Sequence, residues 1–148
     1  MKVFVFALLI CTSSVSIAQA TNQINWMTWN EMTALRETDS VKKKIFVDFY
    51  TGWCGWCKKM DATTFADPNI VAYMNQNFYA VKFDAETRDT IIFNNHTFIN
   101  TDPTFVKKSA NARGRTHWFA QSLLESQLSY PSYAMLDENF TRLMIWKG

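Results

Sequence analysis

The 148-residue sequence is poor in three things that mark common classes of protein: net charge, histidine and long apolar runs. Fifteen lysines and arginines stand against thirteen acidic residues, and the resulting +2 is too small to make the basic footprint of a nucleic-acid partner. The basic residues are scattered apart from Lys42-Lys43-Lys44 and Lys58-Lys59. The triple lysine leads into an apolar stretch and reads as its solvated lead-in. With only two histidines, His96 and His117, at a spacing that matches no common zinc module, a metal site lacks ligands. The apolar stretch Val3 to Cys11 falls short of the ~20 residues a membrane-spanning helix needs.

That short stretch fits a different role. Lys2, the apolar core and the small-residue signal Ala18-Gln19-Ala20 follow the order of a secretory signal peptide over residues 1–20, cut after Ala20. Bulky Ile10 before Cys11 argues against lipoprotein processing. The expected mature chain is a single domain over residues 21–148, periplasmic or secreted, with no membrane span once the signal is removed. Its apolar and aromatic content, 48% and 16% over the whole sequence, suits a packed globule rather than a disordered chain.

Export leaves two cysteines, Cys54 and Cys57. A bridge between them closes so short a loop that it restrains the unfolded chain little, which makes it a poor staple. A C-x-x-C pair is better suited to cycling between dithiol and disulfide. Covalent haem attachment needs a histidine after the second cysteine, where this chain has Lys58. The pair follows the β-branched and aromatic run Ile45 to Tyr50, a strand signal, and precedes a helical run from about Cys57. Cys54 is therefore expected at a helix N-terminus, whose partial positive charge favours a thiolate. Cys54, nearer the surface, is expected to be the nucleophile and Cys57, one turn in, the resolving thiol. Asp48 is the anomaly of the strand. It either points to solvent from an edge or is buried with a partner or a proton.

Around this centre the pattern predicts further elements. Thr28 and Glu31 make a capping box before a helix over Trp29 to Glu37, with Trp29, Met32 and Leu35 on its core face. Asp67-Pro68 opens another, with Ile70, Val71 and Met74 inward. Phe78 to Phe83 is a strand, Ile91 to Phe98 a hairpin turning at Asn94-Asn95 with His96 a surface residue beside it, and Asn100 to Arg115 an exposed loop. His117 opens a helix with Phe119, Leu123 and Leu124 inward. Pro131 opens a strand to Leu136, a place where X-Pro is a candidate cis bond. Phe140 to Trp146 returns antiparallel.

Together these residues resemble the thioredoxin family, closest to its secreted, thioredoxin-like members common in bacteria, over about Trp26 to Gly148. The resemblance rests on Val47-Asp48-Phe49 in register with Trp53-Cys54-Gly55-Trp56-Cys57-Lys58, on Tyr130-Pro131, and on Phe140 to Gly148. It implies an α/β thioredoxin fold, a central mixed β-sheet flanked by helices. An insertion at about 86–126 precedes the cis-proline strand, and the helix that usually follows the last strand is missing. It implies that Asp48 is buried behind Cys57 and assists its proton transfer, and that Pro131 faces the sulfurs. Trp53, Gly55, Trp56, Tyr130 and Pro131 would contact substrate, with simple packing an equal alternative for Trp53. The central Gly55-Trp56 departs from thioredoxin's glycine and proline. The expectation is an exported thiol–disulfide oxidoreductase, a reductase or isomerase of protein substrates. It would need no bound cofactor, only a redox partner that resets the cysteines. The rival is a thioredoxin-fold binding module, or a domain of a larger secreted protein, with a non-catalytic disulfide.

Overall fold

The run Lys44–Tyr50 (β2) is apolar or aromatic at every position but Lys44 and Asp48, and such a strand is stable only where both its faces are covered. A computed structural model, describing residues 22–100 and 114–148, places it in the centre of a five-stranded sheet. The elements in chain order are β1 (Trp26–Met27), α1 (Trp29–Thr38), β2, α2 (Gly55–Ala62), α3 (Pro68–Asn77) and β3 (Phe78–Asp84). The short hairpin β4 (Ile91–Phe93) and β5 (His96–Phe98) follows, then α4 (Trp118–Leu123), β6 (Ser132–Leu136) and β7 (Arg142–Lys147). The expected signal peptide, residues 1–20, and most of the expected 100–115 loop lie outside the described residues.

In the sheet the order is β1-β3-β2-β6-β7, with β2 parallel to β3 and antiparallel to β6. This is the mixed sheet flanked by helices that the thioredoxin resemblance implies. Alternation along β2 sends Ile45, Val47 and Phe49 to one face and Phe46, Asp48 and Tyr50 to the other. The first face packs on Trp29 and Met32 of α1 and on Phe119, Leu123 and Leu124 in and just after α4. Trp29 is the hub there: its ring lies 4.5 Å from Phe119 and 5.5 Å from Phe93, and its indole N–H donates to the Ile92 carbonyl. The opposite face carries a smaller core of Phe65, Val71, Met74 and Ala80, with Trp26, Phe46, Met60 and Tyr133 against it.

Local signals explain most element ends. Thr28 and Glu31 form the expected capping box, the Asp67 carboxylate accepts the Asn69 and Ile70 amides, and Asn94 and Asn95 take positive φ at the β4–β5 turn. Three expectations fail. Leu35 is exposed, because the inward face of α1 continues from Trp29 and Met32 to Arg36. The Arg36 guanidinium lies over the Phe140 ring at 4.2 Å and donates to the Glu138 carbonyl, so its charge is accommodated below the surface. Ile70 sits at the rim of α3, 36% exposed, while Val71 and Met74 face inward. The last strand starts at Arg142 rather than Phe140, because the Asp137 carboxylate accepts the Asn139 and Thr141 amides and holds Phe140 in a turn with φ 65°.

His117 caps α4 and is fully buried. Its Nδ1 accepts the Phe119 amide at 3.1 Å, so its Nε2 carries the proton that it donates to the Asp89 carbonyl at 2.9 Å. Burial lowers its pKa below the usual 6.5, so protonation, which removes the cap acceptor, is tolerated better by the unfolded chain. Stability should therefore fall as pH drops below about 6.5. His117→Asn keeps a capping oxygen but no titrating ring. It should be less stable near neutrality by about 1–3 kcal/mol, yet lose less stability on acidification, as urea unfolding at a series of pH values would measure.

Candidate functional site

The turn after β2 runs straight into α2, and this places the cysteine pair. Cys54 is the N-cap of α2 and Cys57 lies in its first turn; the two are joined in a disulfide. Cys54 Sγ accepts the Cys57 amide at 3.0 Å. A first-turn N–H thus points at the first sulfur, the arrangement that favours negative charge there once the bond is reduced. Both cysteines are buried, 4% and 3% exposed, so exposure does not separate them; the expectation that Cys54 lies nearer the surface is corrected. What separates them is position on the helix, cap against first turn. Trp56 is 67% exposed beside them, with the Lys59 ammonium 4.7 Å from its ring centre. A Cβ added at Gly55 would meet nothing within 4 Å, so the space beside Gly55 is open.

Trp53 is half-buried and partnered. Its indole N–H donates to Glu86 at 2.7 Å, and its ring meets the Tyr130 ring edge-on at 6.0 Å. Glu86 also accepts the Gly114 amide, and a Cβ at Gly114 would lie 2.9 Å from the flexible Glu86 carboxyl end, which would have to shift. Tyr130-Pro131 is cis. Pairing of Ser132 with Phe49 brings the proline to the end of β2 from which the cysteine turn emerges. The Gly148 amide donates to the Pro131 carbonyl at 2.9 Å, and a Cβ at Gly148 would lie 2.3 Å from that oxygen.

Asp48 is buried, 1% exposed, on the sheet face carrying the smaller core. Its neighbours in register are Lys82 on β3 and Tyr133 on β6. Lys82 Nζ lies 2.7 Å from Asp48 Oδ2 and also pairs with Asp61 of α2. Asp48 Oδ1 and the Tyr133 hydroxyl have no hydrogen-bond partner among the described residues. Burial, only partly offset by the Lys82 charge, pushes the Asp48 carboxyl from 3.8 up to about 6. Burial likewise raises the Tyr133 phenol, and Lys82, held by two carboxylates, is raised despite its own desolvation.

Sequence reasoning missed Lys82, Asp61 and Glu86. Lys82 had a signal: it is the one charged residue within Phe78 to Phe83, as Asp48 is within Ile45 to Tyr50. Asp61 lies four residues after Cys57 and so on the same side of α2. Glu86 had none, since its partners are fixed only by the fold. No group of three or more histidine, cysteine or acidic residues among the described residues is placed to hold a metal ion, and no described helix is long and apolar enough to cross a membrane.

A central mixed sheet, a cysteine pair capping the helix after β2 and a cis-proline leading β6 define a thioredoxin-like protein. More closely, residues 7–123 match the family model Thioredox_DsbH, described as a protein of unknown function, DUF255, and the chain belongs to that family. A solved structure described as a DsbH oxidoreductase superposes with a TM-score of 0.52 at 15% identity, covering 95% of this chain and 83% of that one, which shows the shared fold. Among curated proteins, Uncharacterized protein B0495.5 of Caenorhabditis elegans is 29% identical over 75 residues. Spermatogenesis-associated protein 20 of Rattus norvegicus is 28% identical over 75 residues. Each match covers 51% of this chain and only 10% or 9% of the relative's length.

The Asp48 environment has a thermodynamic consequence. Its carboxyl is protonated more readily in the folded than in the unfolded chain, so stability is lost as pH rises from about 3.8 through about 6. Asp48→Asn should be more stable than the parent by about 1–3 kcal/mol at neutral pH. The advantage should vanish below about pH 4, as thermal unfolding of the oxidised proteins at both pH values would test.

Proposed function

We propose that the protein is an exported thiol–disulfide oxidoreductase that reduces or isomerises disulfides in other proteins. The observation that carries this reading is the Cys54–Cys57 bond at the N-cap of α2, above a sheet face that holds the buried, proton-retaining Asp48. The export half rests on the signal-like pattern of residues 1–20.

In this reading reduced Cys54, as thiolate, attacks one sulfur of a substrate disulfide. The substrate S–S bond breaks, a mixed disulfide forms, and the other substrate sulfur leaves as a thiolate that takes up a proton. Cys57 gives its proton to Asp48 and attacks Cys54 Sγ, displacing the second substrate sulfur, which is protonated in turn. The substrate gains two electrons and two protons, and the protein is left with its Cys54–Cys57 bond. A dithiol redox partner returns those electrons, and no bound cofactor takes part. The Tyr130-Pro131 edge would pair with an extended substrate segment, while Trp56 and the open space over Gly55 receive its side chains.

Purified protein supplied with dithiothreitol should speed the reduction of insulin, and Cys54→Ser should lose that activity to the uncatalysed rate. A Cys57→Ser variant should accumulate mixed disulfides on Cys54 that survive denaturing, non-reducing electrophoresis. If wild type and Cys54→Ser are equally inert, the cysteines do not act catalytically and the binding-module alternative gains.

A further inference from the structure

The cation beside Asp48 is not its own. Lys82 Nζ is shared between Asp48 Oδ2, at 2.7 Å, and Asp61 Oδ1. The two carboxylates differ in setting: the Asp48 side chain is 2% exposed and that of Asp61 44%. Asp61 stands one helical turn beyond Cys57, on the same side of α2, so the helix that carries the resolving cysteine also carries the second claimant for the ammonium. Lys82 and Asp61 both line a cavity of about 360 Å³ with Ile24, Trp26 and Phe65, which opens this side of the site to solvent. Aromatic rings surround the ammonium on the remaining sides: its Nζ lies 4.9 Å from the Trp26 ring, 5.3 Å from Tyr50 and 5.6 Å from Phe65.

We propose that Asp61 is a positioning residue that draws the Lys82 ammonium partly away from Asp48, and thereby sets the pH at which Asp48 accepts the proton of Cys57. The inference rests on the oxidoreductase reading and deepens it. An ammonium held by one buried carboxylate keeps that group ionised, whereas one divided between two leaves the buried partner undercompensated and retentive of its proton. Asp61 also adds a like charge, which works in the same direction. The other titratable groups facing the pair are Tyr133 from β6 and Tyr50 from β2, with Asp84 acting on Tyr50. Both phenols are raised by burial and stay neutral through the relevant range. Cys57, in the disulfide form, does not titrate.

The direct measurement is the titration of the Asp48 carboxyl carbon by NMR in the oxidised protein, assigned by its loss in Asp48→Asn. Asp61→Asn should move the Asp48 midpoint down by about one pH unit, and Lys82→Met should move it up. A purely structural role for Asp61 predicts no such opposed pair of shifts. The kinetic counterpart is the release of the second thionitrobenzoate when reduced protein meets Ellman's reagent, the step in which Cys57 attacks Cys54. Its pH profile should move with the NMR midpoint in each variant. An unmoved Asp48 midpoint in folded Asp61→Asn overturns the proposal. If the midpoints move but the release profile stays fixed, even in Asp48→Asn, then Asp48 does not serve Cys57, and the proton-acceptor role fails with the proposal while thiol exchange itself stands.

Discussion

A carboxylate in the middle of the central strand is the constraint around which the rest is arranged. Asp48 sits between Lys82 and Tyr133 in the register of three adjacent strands, under the helix that carries both cysteines. A charge at such a depth is costly unless paired, and here the pairing is deliberately incomplete in physical effect: one oxygen meets Lys82, the other meets no described partner. The fold tolerates this because the opposite face of the sheet is a continuous aromatic and aliphatic core, built on Trp29, Phe49, Phe83 and Phe119. Stability is concentrated on one face and a proton-retaining group is accommodated on the other.

The same sheet brings the remaining parts of the site together. Because β2 pairs with β6, the cis peptide before Ser132 comes to the end of β2 where the cysteine turn begins. Because β2 pairs with β3, the chain leaving β3 brings Glu86 to the Trp53 indole. Glu86 in turn accepts the Gly114 amide, so the segment between β3 and β6 is fastened to the cysteine turn at its own base. That segment also supplies Phe93, Phe98 and Phe119 to the main core, so it is integral to the packing as well as adjacent to the site.

Much of this was legible in the sequence because the deciding signals are local. The C-x-x-C spacing, the Asp67-Pro68 start, the Thr28–Glu31 box and the Asn94-Asn95 turn each act within a few residues, and each appears where expected. The strand-leading Tyr130-Pro131 was a local candidate for the cis bond it adopts, whereas the burial of Asp48, left open by local pattern, follows the thioredoxin resemblance. What was not legible depends on residues far apart in the chain. Lys82 became a partner of Asp48 only through strand register, and Glu86 a partner of Trp53 only through the course of the chain after β3. Leu35, expected inward, is exposed and Arg36 is buried in its stead because Phe140, more than 100 residues away, offers a ring on which a guanidinium can rest. The equal burial of the two cysteines was likewise invisible to a rule based on distance along the helix.

The proposed division of labour between the cysteines is most directly tested by mapping which of them reacts first. The reduced protein would be exposed briefly to limiting iodoacetamide at a series of pH values and the label located by mass spectrometry. The account predicts that Cys54 is modified first, and already at a pH well below the ordinary thiol value of about 8.5, while Cys57 stays unlabelled. Preferential labelling of Cys57, or a Cys54 that reacts only as an ordinary thiol does, would contradict it.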